Sequence, residues 1–187
     1  MAQFLKFKKK HGMANSCRIA DDEAINNYRD KLPASLIAEW IESGWCAYSH
    51  GLVWIVNPKE LTPTVKEWLG TSSQAIPFAR SAFGHLFLWD EEGASLLDPQ
   101  YGTLAKIVNN MEVVFDYVLC RKQYLEDVLD ITLFQKALKN LGSLEWDECY
   151  GFEPAIALGG SGTLDTLKKM KMREHLNILA QLIDEAE

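Results

Sequence analysis

Residues 145 to 163, EWDECYGFEPAIALGGSGT, gather the side chains of this chain that could do chemistry. Glu145, Asp147 and Glu148 flank Trp146, then come Cys149, Tyr150 and a glycine-rich turn. Clustered carboxylates can hold a hard cation or work as acid and base, a thiol can attack, and a glycine turn before a helix can cradle phosphate. A phosphate loop needs Gly-Lys-Ser/Thr, so that lysine reaches the phosphates and a hydroxyl holds magnesium. Here Thr163 and Leu164 follow Gly162, no lysine occurs before Lys168, and the dinucleotide pattern Gly-x-Gly-x-x-Gly is absent. Asp165, in what would be the first helical turn, would repel an anion. The glycines read as a structural turn.

Nucleophilic and metal chemistry fare no better. Glu148 beside Cys149 raises rather than lowers a thiol pKa. The histidines, at 11, 50, 85 and 175, fall in no His-Glu-x-x-His pattern, and no Gly-x-Ser-x-Gly elbow or activated serine context occurs. The acids lack the alternating spacing and central glycine of a calcium loop. No catalytic residue, metal ligand or cofactor is therefore assigned. Two alternatives stay open: a small-molecule enzyme using Cys149 or carboxylates that the fold brings together, and a general regulatory interaction module.

Two segments set aromatics among acids in turn-like sequence: Trp89, Asp90, Glu91 and Glu92, and Glu145, Trp146, Asp147, Glu148 and Tyr150. Aromatic anchors within a polar surround are enriched at protein interfaces, and these nine residues are the candidate partner-binding set. Trp40, Trp45, Trp54 and Trp68 lie on apolar stripes or strands and read as core.

The elements that must position these residues follow from periodicity. KLPASLIAEWIESG is a helix with Pro33 in its first turn, a Leu36, Ile37, Trp40, Ile41 stripe and a Gly44 stop. WCAYSHGLVWIVNP is a hairpin about His50-Gly51, and TPTVKEWLG a short helix capped by Thr62 with Pro63 first. GHLFLWDEEGASLLDPQYG is a second hairpin with an acidic tip. NNMEVVFDYVL fits strand or helix, and its Met111, Val114, Phe115, Val118 spacing favours helix. Ile131, Phe134, Leu138 and Leu141 mark another helix, and Met172, Leu176, Leu179 and Ile183 a last one. The class is α+β: antiparallel hairpins with packed helices over residues 1–105, then a mainly helical part over 106–187, the two packed together.

Composition narrows the role. No stretch approaches eighteen apolar residues, and the N-terminus MAQFLKFKKKHG has no apolar block, so a cytoplasmic protein is expected. The cysteines, at 17, 46, 120 and 149, form no Cys-x-x-Cys and read as reduced, mostly buried thiols. The first ten residues hold four lysines and no acid, which leaves 15 basic against 26 acidic side chains in the rest. So acidic a body repels a phosphate backbone and suits a basic protein partner rather than nucleic acid.

LPASLIAEWIESGWCAYSHGLVWIVNPKELTPTVKEWLG resembles the GAD-like domain, with its proline-started helix, G-to-W-x-V-N-P hairpin and short Trp-Leu helix. LFQKALKNLGSLEWDECYGFEPAIALGGSGTLDTLKKMKMREHLNILAQL is similar to the C-terminal domain that accompanies it in type VI secretion immunity proteins. The resemblance implies a two-part inhibitor that binds a DNA-degrading toxin and blocks its active site or DNA-binding surface, with no chemistry of its own.

Overall fold

Short β-rich runs joined by tight turns pair with their neighbours in sequence, because a turn of a few residues leaves no other strand in reach. The computed structural model, which describes residues 3–184, has seven strands, with short turns after the second, fourth, fifth and sixth and helical connections over 19–44 and 56–75. They are β1 Asn15–Arg18, β2 Trp45–Tyr48, β3 Val53–Ile55, β4 Ile76–Ser81, β5 Leu86–Asp90, β6 Gly93–Asp98 and β7 Thr103–Val108. All pair antiparallel, and their spatial order is their sequence order. The β5–β6 hairpin closes where Asp90 pairs with Gly93, leaving Glu91 and Glu92 at the tip. Gly93 has φ of 112°, and a Cβ there would stand 2.5 Å from the Asn109 Cα, so only glycine admits the close β6–β7 approach.

Helices cover the sheet. The basic N-terminal segment forms α1, Leu5–His11. Its Phe7 is fully buried against Tyr48 and Phe115, while Lys8 reaches Glu39 at 2.7 Å, so the alternation of phenylalanine and lysine is an amphipathic one. α2 is Asp22–Tyr28, and α3, Ala34–Ser43, ends at Gly44 with φ of 78°. Leu36, Ile37 and Trp40 of α3 are buried as the stripe predicts, but Ile41 is exposed. Glu39 takes the inner place instead, because the Tyr48 hydroxyl donates to it at 3.0 Å and Lys8 neutralises it.

α4, Pro58–Leu69, starts a turn earlier than the Thr62 cap of the sequence reading. Asn57 Oδ1 accepts from the Lys59 amide at 3.0 Å, with Pro58 at the first position, so the Asn-Pro that ends the hairpin also begins the helix. Pro63 therefore lies inside, where Thr62 Oγ1 donates to the Pro58 carbonyl at 2.8 Å.

The rest is mainly helical. α5, Met111–Val113, runs into a π-helical turn at Val114–Val118; α6 is Lys122–Asp127 and α7 Ile131–Leu141. A two-stranded antiparallel ribbon follows, β8 Glu148–Phe152 with β9 Leu167–Lys171, then α8, Met172–Asp184. Met172, Leu176 and Leu179 of α8 are buried, joining one core that also holds Trp40, Trp54, Phe78 and Phe87. No helix among the described residues is long and apolar enough to cross a membrane.

The cysteines depart from expectation. Cys17 and Cys46 form a disulfide between β1 and β2, where antiparallel pairing brings residues 29 apart in sequence to a Cα separation of 4.2 Å. Spacing along the chain carries no such signal. Cys120 and Cys149 are free, and only Cys149 is buried.

Candidate partner-binding surface

The first acidic-aromatic segment is an open rim. Strand register sets half-buried Trp89 beside Ile76 on one side and Ala94 on the other. Trp89 walls a groove of about 1050 Å³ together with Tyr28, Lys66, Leu69 and Leu104. Asp90, Glu91 and Glu92 line the same groove. Asp90 Oδ1 accepts from the Glu92 amide at 2.8 Å, which shapes the tip. Glu92 pairs with Lys106, whose hydrogen bond holds the Glu92 carboxyl below the usual range. Glu91 is exposed and, among the described residues, has no ion-pair partner.

The second segment is tethered. Arg80, from the far end of β4, is completely buried. One nitrogen of its guanidinium donates to the carbonyls of Glu145, at 3.4 Å, and Trp146, at 3.2 Å. The guanidinium also lies 4.2 Å from the Trp54 ring, Trp146 meets Trp54 edge-on at 5.0 Å, and Arg18 covers Trp146 at 4.4 Å. Two cations thus bracket two indoles, a favourable alternation once desolvated. Burial pushes the Arg80 pKa down to about 10, with Cys149, Glu60 and Asp147 acting the other way, so it stays charged at neutral pH.

The acids of this segment are answered by lysines of the ribbon. Asp147 pairs with Lys171 at 2.6 Å, which holds its carboxyl below the usual range. Glu148 lies 3.6 Å from Lys169 and accepts from the Glu145 amide at 3.0 Å. Glu145 is exposed and Trp146 half-buried. Tyr150 does not belong to this surface. Its ring is fully buried between Phe83 and Phe134, and its hydroxyl donates to the Gly142 carbonyl at 2.5 Å, so it packs the core.

The two segments stand apart. Trp89 sits beside Ile76 and the tethered carbonyls beside Arg80, opposite ends of β4 separated by roughly 13 Å of strand. Arg80 and Arg18 were missed in the sequence. A lone arginine inside the apolar run IPFARSAFGHLFLW was the available signal for the first.

Reactive constellations are few. Cys149 is buried, and burial pushes its thiol up to about 12, so it is no nucleophile as placed. Ser81 Oγ lies 2.7 Å from His85 Nδ1, and His85 Nε2 lies 3.5 Å from Asp98, an order that sequence did not flag. Yet Ser81 is fully buried, and its oxygen accepts from the Phe83 and His85 amides at 3.1 and 3.2 Å. It staples the β4–β5 turn. No group of three or more histidine, cysteine, aspartate or glutamate side chains is placed to hold a metal among the described residues.

Comparison with known proteins places these features. No curated protein matches the chain in sequence. The crystal structure of Atu4351 from Agrobacterium tumefaciens has the same fold, with a TM-score of 0.76 at 19% identity over 96% of this chain and 89% of that one. Residues 2–98 match the GAD-like domain and residues 111–183 the C-terminal domain of T6SS immunity protein Tdi1. The chain belongs to the GAD-like domain family, in the architecture that joins this domain to the C-terminal domain of a type VI secretion immunity protein.

Proposed function

We propose that the chain protects its own cell from a nuclease toxin by binding that toxin in the cytoplasm, and that it transforms no substrate. The observation that carries this reading is the groove at the β5–β6 tip, with an indole wall and carboxylates along its rim. A nuclease that grips DNA presents lysines and arginines to phosphates. Carboxylates on a protruding hairpin can stand where those phosphates would lie, and opposite charge speeds capture, towards ~10⁸ M⁻¹s⁻¹ at low salt. Trp89 supplies the desolvated anchor that such interfaces need for slow release.

Trp89, Asp90, Glu91 and Glu92 form the primary contact in this proposal, and Glu145, Trp146, Asp147 and Glu148 the secondary one. The tether by Arg80 gives the second segment a fixed shape, which lowers the entropy lost on docking. The two segments lie on the two matched domains, so a toxin that reaches both is held by both.

Co-expression with the toxin encoded beside this chain tests the reading. The native chain should restore growth, and the charge reversal Glu91→Lys should weaken protection while keeping the native unfolding midpoint. Full protection by that variant, together with full protection by Trp89→Ala, would remove the hairpin from the interface.

A further inference from the structure

β1 lies at one edge of the sheet, and all four of its residues are exposed. It contributes no side chain to the core, so its place depends on the ladder to β2, the Cys17–Cys46 bridge and the contacts of Arg18. That ladder is interrupted. Asn15 pairs with Ala47 and Arg18 with Trp45, which leaves Ser16 and Cys17 opposite Cys46 alone. Two residues against one make a bulge, and Ser16 takes a φ of 47° within it.

The bridge spans this bulge, and its two ends differ. Cys17 is exposed and Cys46 fully buried, so an incoming thiolate meets Cys17. Cys46 Sγ lies 3.0 Å from the Ser43 carbonyl at the end of α3, an acceptor in place for the S–H that forms once the bond opens. Disulfides in a reducing cytoplasm are usually transient ones that sense or relay redox state. The strand also carries Arg18, whose guanidinium covers Trp146 at 4.4 Å and reaches Glu60 at 3.3 Å. The place of β1 thus decides whether Trp146 is covered.

We propose that Cys17–Cys46 is a thiol-exchange site: a dithiol reductant opens it at Cys17, β1 loosens, and Arg18 withdraws from Trp146. The thiolate of the dithiol attacks Cys17 Sγ, the Cys17–Cys46 bond breaks, and Cys46 leaves as a thiolate that takes up a proton. The second thiol then displaces Cys17, so the protein gains two thiols and the dithiol is oxidised to its disulfide, a two-electron exchange. The site rests on the inhibitor reading only for the cytoplasmic source of the reductant. Under that reading it sets how firmly the second contact segment is held when a toxin arrives.

The full chain tests this without any toxin. Brief treatment of the oxidised chain with reduced glutathione, acid quenching and peptide mass analysis should find the mixed disulfide on Cys17. After full reduction with dithiothreitol, amide hydrogen exchange over residues 15–18 should quicken about tenfold or more, while β5 and β6 keep their rates. The Trp146 indole N–H resonance should move on reduction, towards its position in Arg18→Gln. Cys17→Ser should show the fast exchange with no reductant present. Cys17 is exposed, so this variant stays informative where Cys46→Ala fails to fold. A mixed disulfide on Cys46, two free thiols at 17 and 46 in the oxidised chain, or unchanged exchange over 15–18 after reduction would each overturn the proposal. None of these results bears on toxin neutralisation, which no arm reads.

Discussion

Trp-Asp-Glu occurs twice, at 89–91 and at 146–148, with different surroundings each time. At the hairpin tip the indole walls a groove, Asp90 shapes the turn, and Glu91 stands unpaired. Before β8 the indole is packed between Trp54 and Arg18, and Asp147 and Glu148 face lysines of β9. A carboxylate in the sequence is thus not yet a charge offered to a partner. What the fold sets opposite it decides how much of its field reaches the solvent. The first segment is open and the second locked, which makes the first the stronger candidate for capture.

The largest test of this contrast is Arg80→Ala. Loss of a buried guanidinium that holds two carbonyls and covers Trp54 should cost about 3 kcal/mol in urea unfolding. A loss below about 0.5 kcal/mol would mean that the second segment is not locked by Arg80.

Next come the two indoles. Trp89→Ala should weaken toxin affinity by about 2 kcal/mol, roughly thirtyfold, with little change in unfolding midpoint. Trp146→Ala should lower the unfolding midpoint more and the toxin affinity less than Trp89→Ala does, because its ring packs on Trp54 and Arg18. Paired calorimetry and denaturation of both variants decide it, and the opposite pattern would exchange the roles of the two segments.

The smallest effect is electrostatic. Lys171 holds the Asp147 carboxyl below the ordinary 3.8. A depressed carboxylate stabilises the fold above its unfolded pKa, and that contribution is lost as pH falls through the folded value. Lys171→Ala should move the Asp147 titration, followed by NMR, upward and reduce its share of the acid-side loss. An unmoved titration would show that Asp147 was never paired in solution.

What could be read in the sequence was local. Apolar spacing placed both hairpins, α3, α7 and α8, because each is decided within about a dozen residues. The signals that failed were those needing a distant partner. Ile41 fits the α3 stripe, but Glu39 is drawn inward by Tyr48 and Lys8. Tyr150 sits beside acids in sequence, yet its amide bonds to the Ala82 carbonyl at 2.8 Å and its ring joins the core. The lysines that neutralise Asp147 and Glu148 lie on β9, whose register against β8 appears only once the ribbon has formed. The hairpin tip was legible because a two-residue turn with flanking apolar runs leaves little else to happen. Whether its carboxylates were free was not.

Arg80 grips peptide oxygens at 145 and 146, not the side chains those positions carry. A backbone clamp is indifferent to residue type. The exposed Glu145 can be exchanged for any residue that keeps its N–H for Glu148 while the loop keeps its place. Such a mount lets an inhibitor track a changing adversary without rebuilding its own scaffold.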